Sequence, residues 1–376
     1  MKETIAIIGG GIVGSTAAYY LVKAGYDVTL YDEGTGQATK AAAGIICPWF
    51  TLRRNKPWYF LVSNGAEFYR RFMQDLAEDD IATDQIFQEV GTLLIRKNEA
   101  SLERDLQRAE ERLPQSPSIK GVTTVRQAEL TEYFPLLNCP YDASLVAGGA
   151  RLDGAQLITS LHQVIQELGG LLINERVSLT ASNNQATPSV VSLQGTIQYD
   201  RILLAAGAWL PDLLAPLGYD VAISPQKGQL FSIYQSEWED NNWPVVMPPG
   251  KFDIIPFANG EIVIGATHEK DRGYDLTIEP ERLNELRDKA LPLLPTLAEH
   301  TEHYRVKVGT RAYTPDYAVL VGAVPELNNV WAVSGLGASG LTSGPFLGHQ
   351  WATLIQTGNW SLSPSDYPIH EYIKKI

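Results

Sequence analysis

TIAIIGGGIVGSTAAYYLVKAGYDVTLYD, residues 4–32, decides how this chain folds. Residues 4–8 are an uncharged, largely branched run, the pattern of a strand buried on both faces of a parallel sheet. Gly9, Gly11 and Gly14 then take the G-x-G-x-x-G positions, with Ile12 and Val13 between the last two. Residues 15–23 continue as a helix that Gly25 stops, and residues 28–31 form a second strand. That strand delivers Asp32, 18 residues beyond Gly14. Each part has a physical task. Gly9 permits the tight turn, Gly11 lets a pyrophosphate approach the backbone, and Gly14 lets helix and strand pack closely. The helix N-terminus offers free N–H groups and partial positive charge to phosphates. Asp32 accepts hydrogen bonds from an adenosine ribose. Strand, turn, helix, strand and acid in this order predict a bound dinucleotide, with NAD and FAD both open at this point.

The bulk properties narrow the class. A length of 376 residues predicts about two domains with a large core. The net charge of −13 argues against a nucleic-acid surface, which needs clustered lysine and arginine. Two cysteines, Cys47 and Cys139, give neither a disulfide framework nor a cysteine metal cluster, so no metal is expected. The first strand begins almost at the first residue, from which we expect no signal peptide and a cytoplasmic location. No run of 18 apolar residues exists, so no membrane span is expected.

Further along, residues 34–50 (GTGQATKAAAGIICPWF) form a small-residue loop in which Ala41, Ala42, Ala43 and Gly44 let backbone pass close to a flat ligand. Helices are expected at about 58–78, 99–113, 126–134, 155–168 and 281–291, and strands within 86–97 and at 145–152 and 171–177. DRILLAAGAW, residues 200–209, is an apolar strand running into Ala206 and Gly207, a strand end of the kind where open α/β sheets seat ligands. Residues 228–267 alternate apolar and polar in several runs and read as an antiparallel sheet, unlike the parallel first segment. Residues 328–355 give a strand, a turn with Gly335, Gly337, Gly340 and Gly344, and a helix. A second cradling turn so far from the first does not suit a simple nicotinamide domain. It suits a long cofactor lying across a sheet assembled from distant parts of the chain.

Together IIGGGIVG with Asp32, TKAAAGI, LLAAGAW followed by PQKGQ, IVIGAT, and VGTRAYTPD with GLGASGL resemble the D-amino-acid oxidase (DAO) superfamily of FAD enzymes. The resemblance runs from residue 5 to about 355, near the glycine oxidase, D-amino-acid dehydrogenase and sarcosine oxidase branches. It implies an α/β fold: a discontinuous Rossmann-like FAD-binding domain (residues 1–85, 145–220 and 305–376) and a substrate-binding domain with a mixed or antiparallel sheet (86–144 and 221–304). It implies that Gly9, Gly11 and Gly14 face the pyrophosphate, Asp32 holds the ribose, and Ala42, Ala43, Gly44 and Ile45 pass near the isoalloxazine. Val177 would meet the adenine, Ala206, Gly207 and Trp209 follow the second cofactor strand, and Gly337, Ala338, Ser339, Gly340 and Leu341 lie under the flavin's pyrimidine edge. A helix opening after Gly340 would aim N–H groups at the negative charge of the reduced ring, which tunes the flavin by no more than a few tens of millivolts.

For the substrate, the resemblance assigns Arg311 to a carboxylate, a task suited to the bidentate guanidinium fork. It implies an amino acid or amine substrate oxidised by hydride transfer to flavin N5, giving an imine that hydrolyses, with oxygen or a quinone as electron acceptor. Departures from the family shape the expectation. Glycine oxidases carry a second substrate-facing arginine where this chain has Ala338, and a tyrosine at the position of Asp253. The sarcosine-oxidase branch has a lysine at Val263 and a flavin-linking cysteine near the substrate arginine, where none stands here. The FAD is therefore expected to be non-covalent, and glycine is a doubtful substrate. Asp253 is a further candidate substrate contact, for an amine or a basic side chain. Arg53 and Arg54 are candidates for an anionic group, or simply surface arginines. His268 reads as a loop histidine and Cys47 as packing beside the cofactor. Three alternatives stay open: a demethylating secondary-amine oxidase, a flavin-binding protein without turnover, and a nicotinamide dehydrogenase.

Overall fold

The computed structural model describes residues 3–182, 185–300 and 302–376. Its first sheet has six strands in the order Leu320–Ala323, Val330–Ser334, Arg201–Leu204, Thr4–Ile8, Asp27–Tyr31 and Leu171–Ile173. All neighbours are parallel except the outermost pair, Leu320–Ala323 with Val330–Ser334. Ile5, Ala6 and Ile7 are wholly buried in its centre, as their unbroken apolar run demands.

The first helix, α1, spans Ile12–Lys23 and so starts earlier than residue 15. Gly11 caps it in extended backbone, and Thr39 Oγ1 accepts the Ile12 N–H at 3.1 Å. Close approach explains the glycines beneath it. A Cβ on Gly14 would lie 1.9 Å from the Gly9 carbonyl oxygen, and one on Gly348 would lie 2.4 Å from that of Val13. The second contact lets the helix Gly340–Thr357 lie directly against α1.

A second sheet has eight strands in the order Arg305–Tyr313, Ser224–Glu239, Asn259–Gly265, Asp253–Pro256, Val245–Met247, Thr92–Arg96, Asp142–Val146 and Val122–Val125. It is mixed: every pair is antiparallel but Val245–Met247 with Thr92–Arg96. Phe231, Ile233, Ile262 and Ile264 pack one face of it on Leu283 and Leu286 of the helix Pro280–Ala290. Arg305–Tyr313 is an edge strand of this sheet, although it lies beyond residue 304.

Two expected strands differ. Residues 145–152 are split between Asp142–Val146 and Ala150–Leu152, because the chain turns at Gly148, where a Cβ would meet the Ser118 carbonyl oxygen at 1.6 Å. The strand expected at 171–177 stops at Ile173, where Glu175 N–H turns back to the Ile173 carbonyl at 3.0 Å. From there the chain enters a separate three-stranded sheet beginning at Ser178–Ser182.

Candidate active site

The C-terminal ends of the parallel strands open on a cavity of about 930 Å³ whose opposite wall is the eight-stranded sheet. Gly9, Gly11, Ile12, Val13, Asp32, Ala42, Ala43, Gly44, Ile45, Val177, Ala206, Gly207 and Trp209 all line it. So do Gly337, Ala338, Ser339, Gly340, Leu341, Asp253 and Arg311. Gly14 does not; it lies under the turn, packed against Ile7 and Gly9. Arg53 and Arg54 are also off the wall. Arg53 stacks over Trp58, 4.5 Å from the ring centre, and donates to the Tyr317 carbonyl.

The near end suits a dinucleotide. Ile12 and Val13 of the first turn of α1 line the cavity, and Asp32 sits at the tip of Asp27–Tyr31 with Oδ1 accepting the Gly34 N–H at 2.9 Å. Gln37 donates to the other oxygen of Asp32. Gln37 Oε1 and Thr310 Oγ1 are buried on the wall with no hydrogen-bond partner among the described residues, two polar atoms that a ligand with hydroxyls and ring nitrogens would satisfy. Beneath the turn, His162 Nε2 lies 3.0 Å from Ser15 Oγ and 3.2 Å from the Gly10 carbonyl oxygen. Burial holds its pKa below the usual histidine value, the nearby Asp32 opposing.

The far end is built on Arg311. Its strand pairs with Ser224–Glu239, and a Cβ on Gly228 would sit 2.5 Å from Arg311 Nη1, so the glycine makes room for the guanidinium. Nη1 donates to the Thr267 carbonyl at 2.9 Å; the other N–H groups make no hydrogen bond to the described residues. Burial lowers its pKa, with Tyr313 and Glu269 opposing, and no carboxylate lies within ion-pair distance among the described residues. Asp253 faces the same space, and burial pushes its carboxyl up to about 7. Burial likewise pushes the Cys47 thiol up to about 12, which keeps it a thiol on the wall rather than a thiolate. Val263 is buried with Leu230, Val245 and Ile255, away from the lining.

Residues that spacing alone does not reveal complete the site. His268, expected to be an ordinary loop histidine, faces the cavity; desolvation and then Arg311, Lys251 and Lys270 hold its pKa down to about 4. Lys251 and Lys270 stand on the same wall. Lys270 Nζ donates to Tyr317 Oη at 2.6 Å, and Tyr313 Oη accepts the Ala338 N–H at 3.1 Å.

A parallel sheet with a glycine turn at its centre, facing a mixed sheet that presents an unpaired arginine, defines a two-layered nucleotide-cofactor site. The chain belongs to the DAO family of FAD dependent oxidoreductases, whose model matches residues 4–354. Among its relatives, the uncharacterized oxidoreductase YurR of Bacillus subtilis (strain 168) is 38% identical over 369 residues, 98% of each chain. The glycine oxidase of Pseudomonas aeruginosa is 28% identical over 377 residues, again 98% of each. The solved structure of iminodiacetate oxidase (IdaA) from Chelativorans sp. BNC1 is similar with a TM-score of 0.90 at 32% identity, covering 96% of this chain and 98% of that one.

Proposed function

We propose that this protein uses non-covalently held FAD to oxidise the C–N bond of an amino acid or related amine. The observation that carries the reading is Arg311: a buried guanidinium with free N–H groups, in a cavity whose other end is the dinucleotide turn. Bound FAD would supply a hydride acceptor at its N5. Arg311 grips the substrate carboxylate and fixes the adjacent α-carbon, and positioning of this kind does most of what hydride transfer requires. Asp253 contacts the amine. The substrate loses a hydride from carbon and a proton from nitrogen, and water converts the resulting imine to a carbonyl compound plus ammonia or an amine. The electron acceptor in this reading is oxygen or a quinone, and the location cytoplasmic. Among the described residues no helix is long and apolar enough to cross a membrane.

The domain division (1–85, 145–220 and 305–376 against 86–144 and 221–304) belongs to the same reading. Arg305–Tyr313 serves both parts, since it edges the second sheet while Thr310 N–H donates to the Gly36 carbonyl in the cofactor loop at 3.0 Å.

Arg311→Ala tests the function. We expect flavin binding to persist and kcat/KM to fall by about 2 kcal/mol or more, roughly 30-fold. Unchanged turnover would sink the assignment. A secondary-amine substrate is the second reading, favoured by the 32% identity to iminodiacetate oxidase and by the 25% identity to a formaldehyde-forming 4-methylaminobutanoate oxidase. Release of an amine in place of ammonia would identify it.

A further inference from the structure

We propose that the substrate carries two carboxylates, the first on Arg311 and the second at the cavity rim between Lys251 and Lys270; this rests on the function proposed above. The charges of the cavity are segregated. At the ribose end Asp32, Glu33, Glu175 and Asp212 gather, and Arg176 is paired there with Glu33 at 3.5 Å and Asp212 at 2.7 Å. The far end holds Arg311, Lys251 and Lys270, none of which has a carboxylate within 4 Å among the described residues. A single carboxylate needs one of these cations, which leaves two without an anion.

The arrangement is built in rather than incidental to a loop. The segment that carries Lys270 also carries Glu269, Asp275 and Glu279, natural partners for it. All three turn instead toward Lys227, which is fully buried behind the segment and lies 3.9, 3.4 and 2.8 Å from them. Lys270 is thereby left facing outward, held by Tyr317 Oη at 2.6 Å, with two ammonium hydrogens free for a ligand. Lys251 lines the same end, and with Lys270 and Arg311 it acts on His268 between them in the lining. Glu269 and Asp271 flank Lys270 and Asp253 lies two residues from Lys251, yet among the described residues none of these carboxylates comes within ion-pair distance of either lysine.

Two inert acids test the inference on the flavin-loaded enzyme. Oxydiacetate presents two carboxylates about an ether oxygen and cannot undergo C–N oxidation; methoxyacetate presents one. Their affinities are read from the perturbed visible flavin spectrum and from calorimetry. We expect oxydiacetate to bind about tenfold tighter or better, and the Lys251→Met/Lys270→Met protein to bring the two within about threefold. Equal affinities for the native enzyme, or a preference unchanged in the double variant, would overturn the second site and leave the proposed oxidation standing. If neither acid binds, or Arg311→Ala weakens neither, the carboxylate reading of Arg311 falls as well. Products of turnover separate the two kinds of diacid: glyoxylate and glycine from iminodiacetate, a 2-oxo diacid and ammonia from an amino diacid.

Discussion

Asp253 ties the chemistry to pH. Its carboxyl is raised by burial to about 7, far above the ~3.9 of a free aspartate. A contact with the amine needs the ionised form, so kcat/KM should climb as pH rises through about 7, and Asp253→Asn should flatten that limb. Linkage supplies a second readout with the opposite sign. Because the folded value is the higher one, the group favours the fold below about pH 4 and loses that contribution as pH rises toward 7. Melting curves of Asp253→Asn should lack this loss. The sequence exposed Arg311 because it sits in a family motif, and Asp253 because it stands where glycine oxidases carry a tyrosine. It did not expose Lys251, Lys270, Thr39 or His162, which have no spacing signature: loops and a helix bring them to the site only when the sheets meet.

At the level of elements, the helix Gly340–Thr357 contains Pro345. Proline has no N–H, so the Leu341 carbonyl loses its partner four residues on. Tyr69, wholly buried on the helix Lys56–Ala77, fills the gap by donating its hydroxyl to that carbonyl at 2.5 Å. Tyr69→Phe should therefore cost about 1–3 kcal/mol, the scale of one buried unpaired acceptor. Since Leu341 lines the cavity, flavin affinity should weaken in parallel with the melting temperature, measured by fluorescence titration. The helices and the glycine turns were legible from periodicity and punctuation. The break at Gly148 and the early end at Ile173 were not, since both follow from contacts with distant backbone or from a turn that apolar patterning hides.

Across the whole molecule, the Lys227 network fastens residues 267–279 to the second sheet. Hydrogen bonds from Thr277, aided by Lys227, hold Asp275 down to about 2, and Lys227 holds Glu279 below the usual carboxylate range. These contributions are present above about pH 4 and disappear as pH falls toward 2. Hydrogen exchange should show this segment opening in acid before either sheet, and Lys227→Met should open it at neutral pH; uniform protection in that variant would refute the fastening role. The antiparallel part of the second sheet was foreseen from alternation in residues 228–267, but its strands Thr92–Arg96 and Val122–Val125 join by tertiary pairing that no local pattern records.

The six-stranded sheet draws its members from residues 4 to 334, and that sets a clock on biosynthesis. At roughly 5–20 residues per second, a ribosome that has finished the first glycine turn needs about 15–65 s to reach the second one. The apolar strand Thr4–Ile8 waits about 10–40 s of that time for its neighbour Arg201–Leu204, and that strand in turn waits for Val330–Ser334. Cofactor loading therefore waits until the chain has grown past the second glycine turn. A cell short of flavin would meet a chain with both distant glycine turns made and no cofactor to seat between them.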